Sequence, residues 1–325
     1  MVAVVTGGTG FLGSHLCDTL LQNGYEVRCI VRGSSNRQWL EGKNILFYAV
    51  GLSDSDLLKE VLTGADYVFH IAGTVRALHS REFYEGNVLT TQVLLDGVLR
   101  YAPTVCRVVV VSSLSAAGSG VLGFPLTEAM ECRPLTAYGR SKHLQERLCH
   151  NYMSVLPISI VRPPPIYGER DTDVFLVFRS CIRGFLPTGR GVQRLSMVYV
   201  GDVVRLLLNC ALLPVAIGQT YYVSSGNGYT WEEIARSFSR LTGKMPVLVG
   251  IPSWVLLFLG RVAGLLAFVR GKPLIFDRDK ALEMMQSSWE CSIDKARNEL
   301  GYEPLTFLDS GLVKTYQWYK KQGWL

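Results

Sequence analysis

The sequence predicts an α/β fold: a doubly wound parallel sheet with helices on both faces and a smaller, partly interleaved C-terminal α+β lobe. Three observations lead there. Short β-branched runs alternate with amphipathic stretches from the start of the chain to about Pro163. Several of those runs, "VAVVT" and "CRVVVVSS" among them, are apolar throughout, as strands buried on both faces must be. Beyond Pro163 the alternation gives way to loops, helices and short extended pieces. With 325 residues, 48% hydrophobic and 18% charged, the chain can bury one large domain plus a lobe, and its composition excludes disorder.

"VAVVT" (2–6) is the first strand and runs into glycines. In "FLGSHLCDTLLQNG" the residues Phe11, Leu12, Leu16 and Leu20 fall near helical spacing, and Asn23-Gly24 stops the helix. "YEVRCIVR" and "NILFYAV" are the second and third strands. "DSDLLKEVLTG" is a helix capped by Ser53 or Asp54, and "ADYVFHIAG" is the fourth strand. A long helix over about Glu85–Tyr101 leads to "CRVVVVSS". Thr136 opens the helix "TAYGRSKHLQERLCHNYMSV", and "PISIVRP" is a further strand. These elements form a first domain over 1–162. "LSMVYVGDVVRLLLNCALL" and "QTYYVSS" return to it over about 196–224, leaving 163–195 and 225–325 as the lobe.

Lysine and arginine number 33 against 27 acidic residues, a formal net charge of +6, with no block of like charges. Nucleic-acid binding is not indicated; an anionic ligand accounts for part of the surplus. The eight cysteines show no C-x-x-C pair and no zinc-ligand spacing to histidine, so reduced structural thiols and no metal centre are expected. Asp171 and Asp173 read as helix caps rather than metal ligands. "MVAVVTGG" enters a strand at once, which predicts no leader and a cytoplasmic protein.

"TGGTGFLG" fits both Gly8-x-Gly10-x-x-Gly13 and Gly7-x-x-Gly10-x-x-Gly13. Glycine allows positive φ, close approach of a pyrophosphate, and tight packing of helix on strand. The first-turn amides around Phe11, Leu12 and Gly13 then face the phosphate charge. A strand before, a helix after and a repeated β-α-β pattern supply the context a Rossmann-type dinucleotide site requires. The second strand ends in Arg32, where an acid would select NAD; a cation suits the additional phosphate of NADP, with Ser34, Ser35 and Arg37 as further donors. NADP is therefore favoured over NAD.

Tyr138 and Lys142 lie four residues apart on the helix after the fifth strand, hence on one face. That strand ends in Ser112, Ser113 and Ser115, at the sheet edge where ligands of open α/β folds bind. A nearby ammonium and a positively charged nicotinamide would both lower a phenol pKa from roughly 10. Tyr138 can then exchange a proton with a substrate oxygen held by a serine hydroxyl. Tyr316 and Lys320 repeat the spacing in "YQWYK", but on a terminal amphipathic helix without that setting.

Together "TGGTGFLG", "HIAG", "GNVLTTQVLL", "VSSLSAAG", "YGRSK", "RPPPIYG", "VYVGDVV" and "DKARNELGYEP" resemble the extended short-chain dehydrogenase/reductases over essentially the whole chain. The resemblance implies that Ser113, Tyr138 and Lys142 carry catalysis, with Ser115 in reserve. It implies that Ala72 and Gly73 line the cofactor and that Pro164, Pro165 and Ile166 face its nicotinamide end. Asn87 matches a family asparagine of structural role, and a homodimer is implied. One departure is Gly51, which stands where the family often has an adenine-contacting Asp; Ser53, Asp54 or backbone must serve instead.

The family includes nucleotide-sugar epimerases and dehydratases as well as reductases of sterol-like alcohols. Two arginines that would meet a sugar diphosphate are replaced here by Leu195 and Leu282, although Arg194 and Arg278 stand close by. An unpaired buried diphosphate is costly, which disfavours a nucleotide sugar. The apolar run Trp254–Val269, interrupted by Arg261, resembles the lobe of the 3β-hydroxysteroid dehydrogenase-like branch. As a helix it spans about 24 Å, short of the roughly 30 Å of a bilayer core. A buried lobe helix, a lid over an apolar substrate, and peripheral membrane contact through about 253–269 are the readings left open. The expected function is an NAD(P)-dependent oxidoreductase acting on a hydrophobic alcohol or ketone. The alternative is a nucleotide-sugar epimerase or dehydratase.

Overall fold

The β-branched runs do pair, in parallel and side by side. A computed structural model describes residues 1–50 and 55–325. The order along the chain is β1 (Val2–Thr6), α1 (Phe11–Gln22), β2 (Glu26–Val31), β3 (Ile45–Ala49), α2 (Ser55–Leu62) and β4 (Tyr67–His70). Then come α3 (Ser80–Tyr84), a π-helical turn (Glu85–Leu89), α4 (Thr90–Tyr101), β5 (Arg107–Val111), α5 (Leu114–Ala117), α6 (Ala137–Tyr152) and β6 (Ile158–Arg162). The segment β7 (Ile166–Tyr167), α7 (Val174–Ile182), β8 (Phe185–Gly189) and β9 (Arg194–Ser196) leaves the sheet. β10 (Val198–Tyr199) pairs with β7, and α8 (Val200–Leu212) and β11 (Thr220–Tyr222) return to the sheet.

Seven strands form one parallel sheet in the order β11-β6-β5-β4-β1-β2-β3. The order reverses between β1 and β4, which places the ligand crevice of such sheets at their C-terminal ends. β5 and β6 are buried along their whole length. One face is sealed by Leu12, Leu16 and Leu20 of α1 with Leu206 and Leu207 of α8. The other is sealed by Leu58 and Leu62 of α2, Leu94 and Val98 of α4, and Cys149 of α6.

The lobe continues with β12 (Gly228–Thr230), α9 (Trp231–Thr242), β13 (Val247–Ile251), α10 (Ser253–Arg270), α11 (Arg278–Met284), β14 (Ser288–Trp289), α12 (Asp294–Leu300) and α13 (Leu308–Lys321). β13 pairs with β8, and β9 lies between β12 and β14. Phe178, Phe238, Leu312 and Tyr319 centre its own core.

Three expectations need correction. The helix anticipated from Glu85 starts five residues earlier, at Ser80, and widens into a π turn before α4. Gly86 sits so close to Thr74 that a Cβ would fall 1.9 Å from its Oγ1, and the wide turn lets Asn87 reach the same loop. The apolar run 253–270 is no buried lobe helix, since only Leu256, Gly260 and Ala267 are buried. Asp171, rather than Asp173, caps α7, accepting the amides of Asp173 and Val174 at 3.0 and 2.7 Å; Asp173 pairs with Arg76. The adenine-side candidates Gly51, Ser53 and Asp54 lie outside the described residues. All eight cysteines are free thiols.

Candidate active site

After β1 the chain turns through Gly7 at φ +72°, a conformation that favours glycine. A Cβ there would meet the Ala72 amide nitrogen at 2.7 Å, and one on Gly13 would meet the Gly7 carbonyl at 2.1 Å. Gly8 packs inward on Cys29 and Cys17, so the functional spacing is Gly7, Gly10, Gly13. Gly10 differs: only the Gly7 carbonyl, at 3.3 Å, lies near its missing side chain. This open cradle sits at the start of α1, which has no side-chain cap and no acid in its first turn. Both features fit the pyrophosphate of a dinucleotide.

Arg32, just past β2, is exposed and forms no ion pair among the described residues. Ser35 accepts the Arg32 amide at 3.1 Å, and Arg37 stacks on Phe47 at 4.6 Å, which leaves Arg32 as the free cation of the turn.

Thr136 caps α6 through the Gly139 amide at 3.0 Å, and the Ala137 amide donates to Asp279 of α11 at 2.6 Å. Tyr138 follows and shares a cavity of about 200 Å³ with Ser113 and Lys142. Ser113 is the N-cap of α5, accepting the Ser115 amide at 3.1 Å, and its side chain lines the same cavity as the Tyr138 phenol. Lys142 is buried beneath, with Nζ donating to the Val111 carbonyl at 2.8 Å. Ser115 is not on the cavity wall, whereas Ser113 is.

The electrostatics correct one expectation. Burial pushes the Tyr138 phenol up to about 12, and the neighbouring Ser113 hydroxyl only partly offsets it. Lys142 does not pull it down, because its ammonium is spent on a backbone carbonyl and is itself lowered by burial to about 8. From the chain's own groups, Tyr138 is therefore a protonated phenol at neutral pH.

A buried polar chain holds this geometry. His70, wholly buried, contacts Thr6 Oγ1 and Thr91 Oγ1 at 2.7 Å each. Thr91 donates to the Asn87 carbonyl and accepts from Gln145, so His70 carries its proton on Nε2 and accepts from Thr6 at Nδ1. Burial lowers its pKa to about 3 and keeps it neutral. Asn87 bonds Thr74 at both amide and carbonyl and reaches Ser141 at 2.8 Å. It ties the loop after β4 to the helix of Tyr138, a structural task.

The remaining cofactor candidates divide. Leu12, Gly73, Pro164 and Ile166 line the cavity. A Cβ on Gly73 would meet Asn87 Oδ1 at 2.7 Å and Lys142 Nζ at 3.6 Å. Ala72 stands beside the glycine turn, and Phe11 packs edge-on against His15. Pro165 is exposed and off the wall, where Pro163 stands instead. Sequence reasoning missed Pro163 and named Ser112 only as one of three serines at the edge. Ser112 lines the cavity with a buried Oγ that finds no partner among the described residues, a polar atom suited to a ligand.

The two arginines near the diphosphate positions are not poised for one. Arg194 is held by Glu290 at 2.9 Å and the Gly228 carbonyl at 2.8 Å, Leu195 packs on the lobe core, and Arg278 is exposed. The fold also brings Cys132, His143 and Glu146 within 4.8 Å, a cluster the spacing did not announce. A cation already sits there: Arg162 grips Glu146 at 2.8 and 2.6 Å and touches Cys132 at 3.1 Å.

A family model described as NAD dependent epimerase/dehydratase family matches residues 3–223. A ceramide reductase from Caulobacter vibrioides is 28% identical, covering 100% of this chain and 96% of the relative. A 3 beta-hydroxysteroid dehydrogenase/Delta 5→4-isomerase from Mycobacterium tuberculosis is also 28% identical, with 97% and 90% covered. Among solved structures, UDP-glucose 4-epimerase from Thermotoga maritima with UDP-glucose aligns at TM-score 0.80 and 25% identity over 99% of both chains.

Proposed function

Because the chain belongs to the NAD dependent epimerase/dehydratase family, we propose that it reduces a hydrophobic ketone to an alcohol with a nicotinamide dinucleotide, NADP in preference to NAD. The turn from Gly7 to Gly13, Arg32, Gly73 and the Pro163–Ile166 segment would hold the cofactor, which supplies the hydride when bound. Ser113 fixes the substrate carbonyl oxygen, Tyr138 delivers the proton to it, and Lys142, anchored on the Val111 carbonyl, would supply positive charge to the cavity.

The observation that carries this reading is that Tyr138, Ser113 and Lys142 meet in one cavity walled by Leu12, Ile71, Val75, Pro163 and Ile166. The names of two relatives, a ceramide reductase and a 3 beta-hydroxysteroid dehydrogenase, support a greasy substrate. The engaged Arg194 speaks against a sugar diphosphate. The test is net oxidation of NADPH with sterol or long-chain ketones, set against conversion of UDP-glucose. Turnover with a ketone alone is expected; epimerisation of UDP-glucose without net cofactor consumption would overturn the proposal.

Two further outcomes follow from single groups. Arg32→Asp is expected to weaken NADP binding at least about tenfold and to leave NAD binding unchanged or improved, since one charge-assisted hydrogen bond contributes about 1.5–3 kcal/mol. Equilibrium titration of both dinucleotides checks this; an unchanged preference removes Arg32 from the site. The pH profile is the second. Lys142 is an ammonium below about 8 and a neutral amine above it, whereas the phenol stays protonated to about 12. kcat/KM for reduction is therefore expected to fall as pH rises through about 8, and Lys142→Met should lose that limb.

A further inference from the structure

The chain's surplus of positive charge is not spread evenly. Residues 234–276 contain no Asp or Glu and six cations, Arg236, Arg240, Lys244, Arg261, Arg270 and Lys272, which equals the formal net charge of +6 for the whole protein. Within this acid-free segment lies α10, 18 residues with a mean hydropathy of 1.6. Leu256, Gly260 and Ala267 make a narrow seam against the lobe. Gly260 is required there, since a Cβ would fall 2.9 Å from the Asp277 carbonyl.

The opposite side is apolar and bare. Trp254 is 73% exposed, Phe258 60%, Leu265 66% and Val269 76%, with Val262 and Leu266 beside them. At about 3.6 residues per turn these six form one continuous stripe, with Arg261 along one edge and Arg270 along the other. Arg261, Arg270 and Lys272 form no ion pair among the described residues. An apolar stripe edged by free cations is the pattern of a helix lying in a lipid headgroup layer, its long basic side chains reaching up to the phosphates.

Both ends of α10 are tied down, one within the lobe and the other onto α6 of the sheet domain. β13 enters the helix while paired with β8, and α11 leaves it to accept the Ala137 amide on Asp279. The helix therefore lies along a surface and does not cross a bilayer. It also lies beside the active-site mouth. Phe268 packs edge-on against His79, in the segment that leads from the cavity residue Val75 to Phe83, whose ring contacts Tyr138.

We propose that α10 docks the protein on an anionic lipid bilayer, and that the cavity takes its ketone from that bilayer. The second half rests on the ketone-reductase reading; the first does not. Sedimentation with phosphatidylcholine vesicles, with and without phosphatidylglycerol, tests the docking on the full chain with no substrate present. Binding is expected to be at least about tenfold tighter to the phosphatidylglycerol vesicles, in line with the contribution of several surface cations.

Two triple variants, Trp254→Ser/Phe258→Ser/Leu265→Ser and Arg261→Glu/Arg270→Glu/Lys272→Glu, should each abolish that binding. Because the altered residues are exposed, both should keep the thermal unfolding midpoint, and loss of binding without unfolding is the supporting result. Equal binding by wild type and variants overturns the proposal. So does a concentration-dependent dimer that the serine variant dissolves in the absence of any vesicle affinity, since a second copy would then cover the stripe. Tyr138→Phe should bind vesicles like wild type, which separates failure of docking from failure of the catalytic reading.

Discussion

Tyr138→Phe is expected to lower kcat for ketone reduction by about a thousandfold while leaving dinucleotide affinity within about threefold of wild type. A positioned general acid contributes roughly 10²–10⁴ in rate, and this phenol shares the cavity with Ser113 and lies one helical turn from Lys142. Phenylalanine keeps the ring packing against Phe83, at 6.1 Å, and removes only the oxygen. Folding is therefore not the cause of the loss. Burial already disfavours the charged form of that group, so thermal stability should hold or rise slightly. Ser113→Ala should reduce the rate less, because Tyr138 can still reach a carbonyl oxygen that is less firmly held. The double variant should be little worse than Tyr138→Phe alone, since the two hydroxyls act as a unit on one oxygen. If Tyr138→Phe retained rate within tenfold, the proton would have to come from elsewhere, and the unpartnered Ser112 would be the next residue to remove.

Much of this candidate site is legible in the sequence. The sheet could be read because β5 carries the unbroken apolar run Val108–Val111 and β6 has Ile158, Ile160 and Val161 on both faces, a pattern no half-exposed strand requires. The glycine turn could be read because strand, turn and helix are contiguous, so the spacing itself encodes the geometry. Tyr138 and Lys142 shared a face for the same local reason.

What was not legible depends on contacts between distant residues. The expected depression of the Tyr138 pKa assumed that the Lys142 ammonium would face the phenol; it faces the Val111 carbonyl, and that choice is made by the packing of α6 on β5. The π turn at Glu85–Leu89 adds one residue to a helical coil and leaves no trace in hydrophobic periodicity. Asn87 showed as a motif residue, but its two bonds to Thr74 and its reach to Ser141 appear only in the fold. The placing of α11 over the start of α6, through Asp279 and Ala137, joins residues 142 positions apart. The 253–270 run is apolar on every side, so composition alone reads the same for a core helix and for one left bare.

Glu146→Ala is expected to destabilise the fold by about 3–5 kcal/mol in chemical denaturation, the range for removing one partner of a buried ion pair. Glu146 and Arg162 are 2% and 6% exposed in their side chains and bond through both carboxylate oxygens, at 2.8 and 2.6 Å. Removing the carboxylate leaves an enclosed guanidinium hydrogen-bonded only to Tyr222 and Cys132 and with no ion pair among the described residues. The pair also joins two parts of the site. Glu146 lies one turn beyond Lys142 on α6, and Arg162 ends β6 immediately before the Pro163 and Pro164 wall. Glu146 is one of the groups that raise the pKa of Lys142 against its burial, so its loss should move the falling limb of the reduction profile below pH 8. Replacing both partners, as Glu146→Leu with Arg162→Met, removes the stranded charge and should recover most of the stability, because apolar isosteres of a buried pair are often neutral or better. The acid-shifted limb should persist in that double variant, since Lys142 still lacks its carboxylate. Recovery of both stability and pH profile together would mean that Glu146 acts only through the fold; recovery of stability alone assigns it the electrostatic support of Lys142.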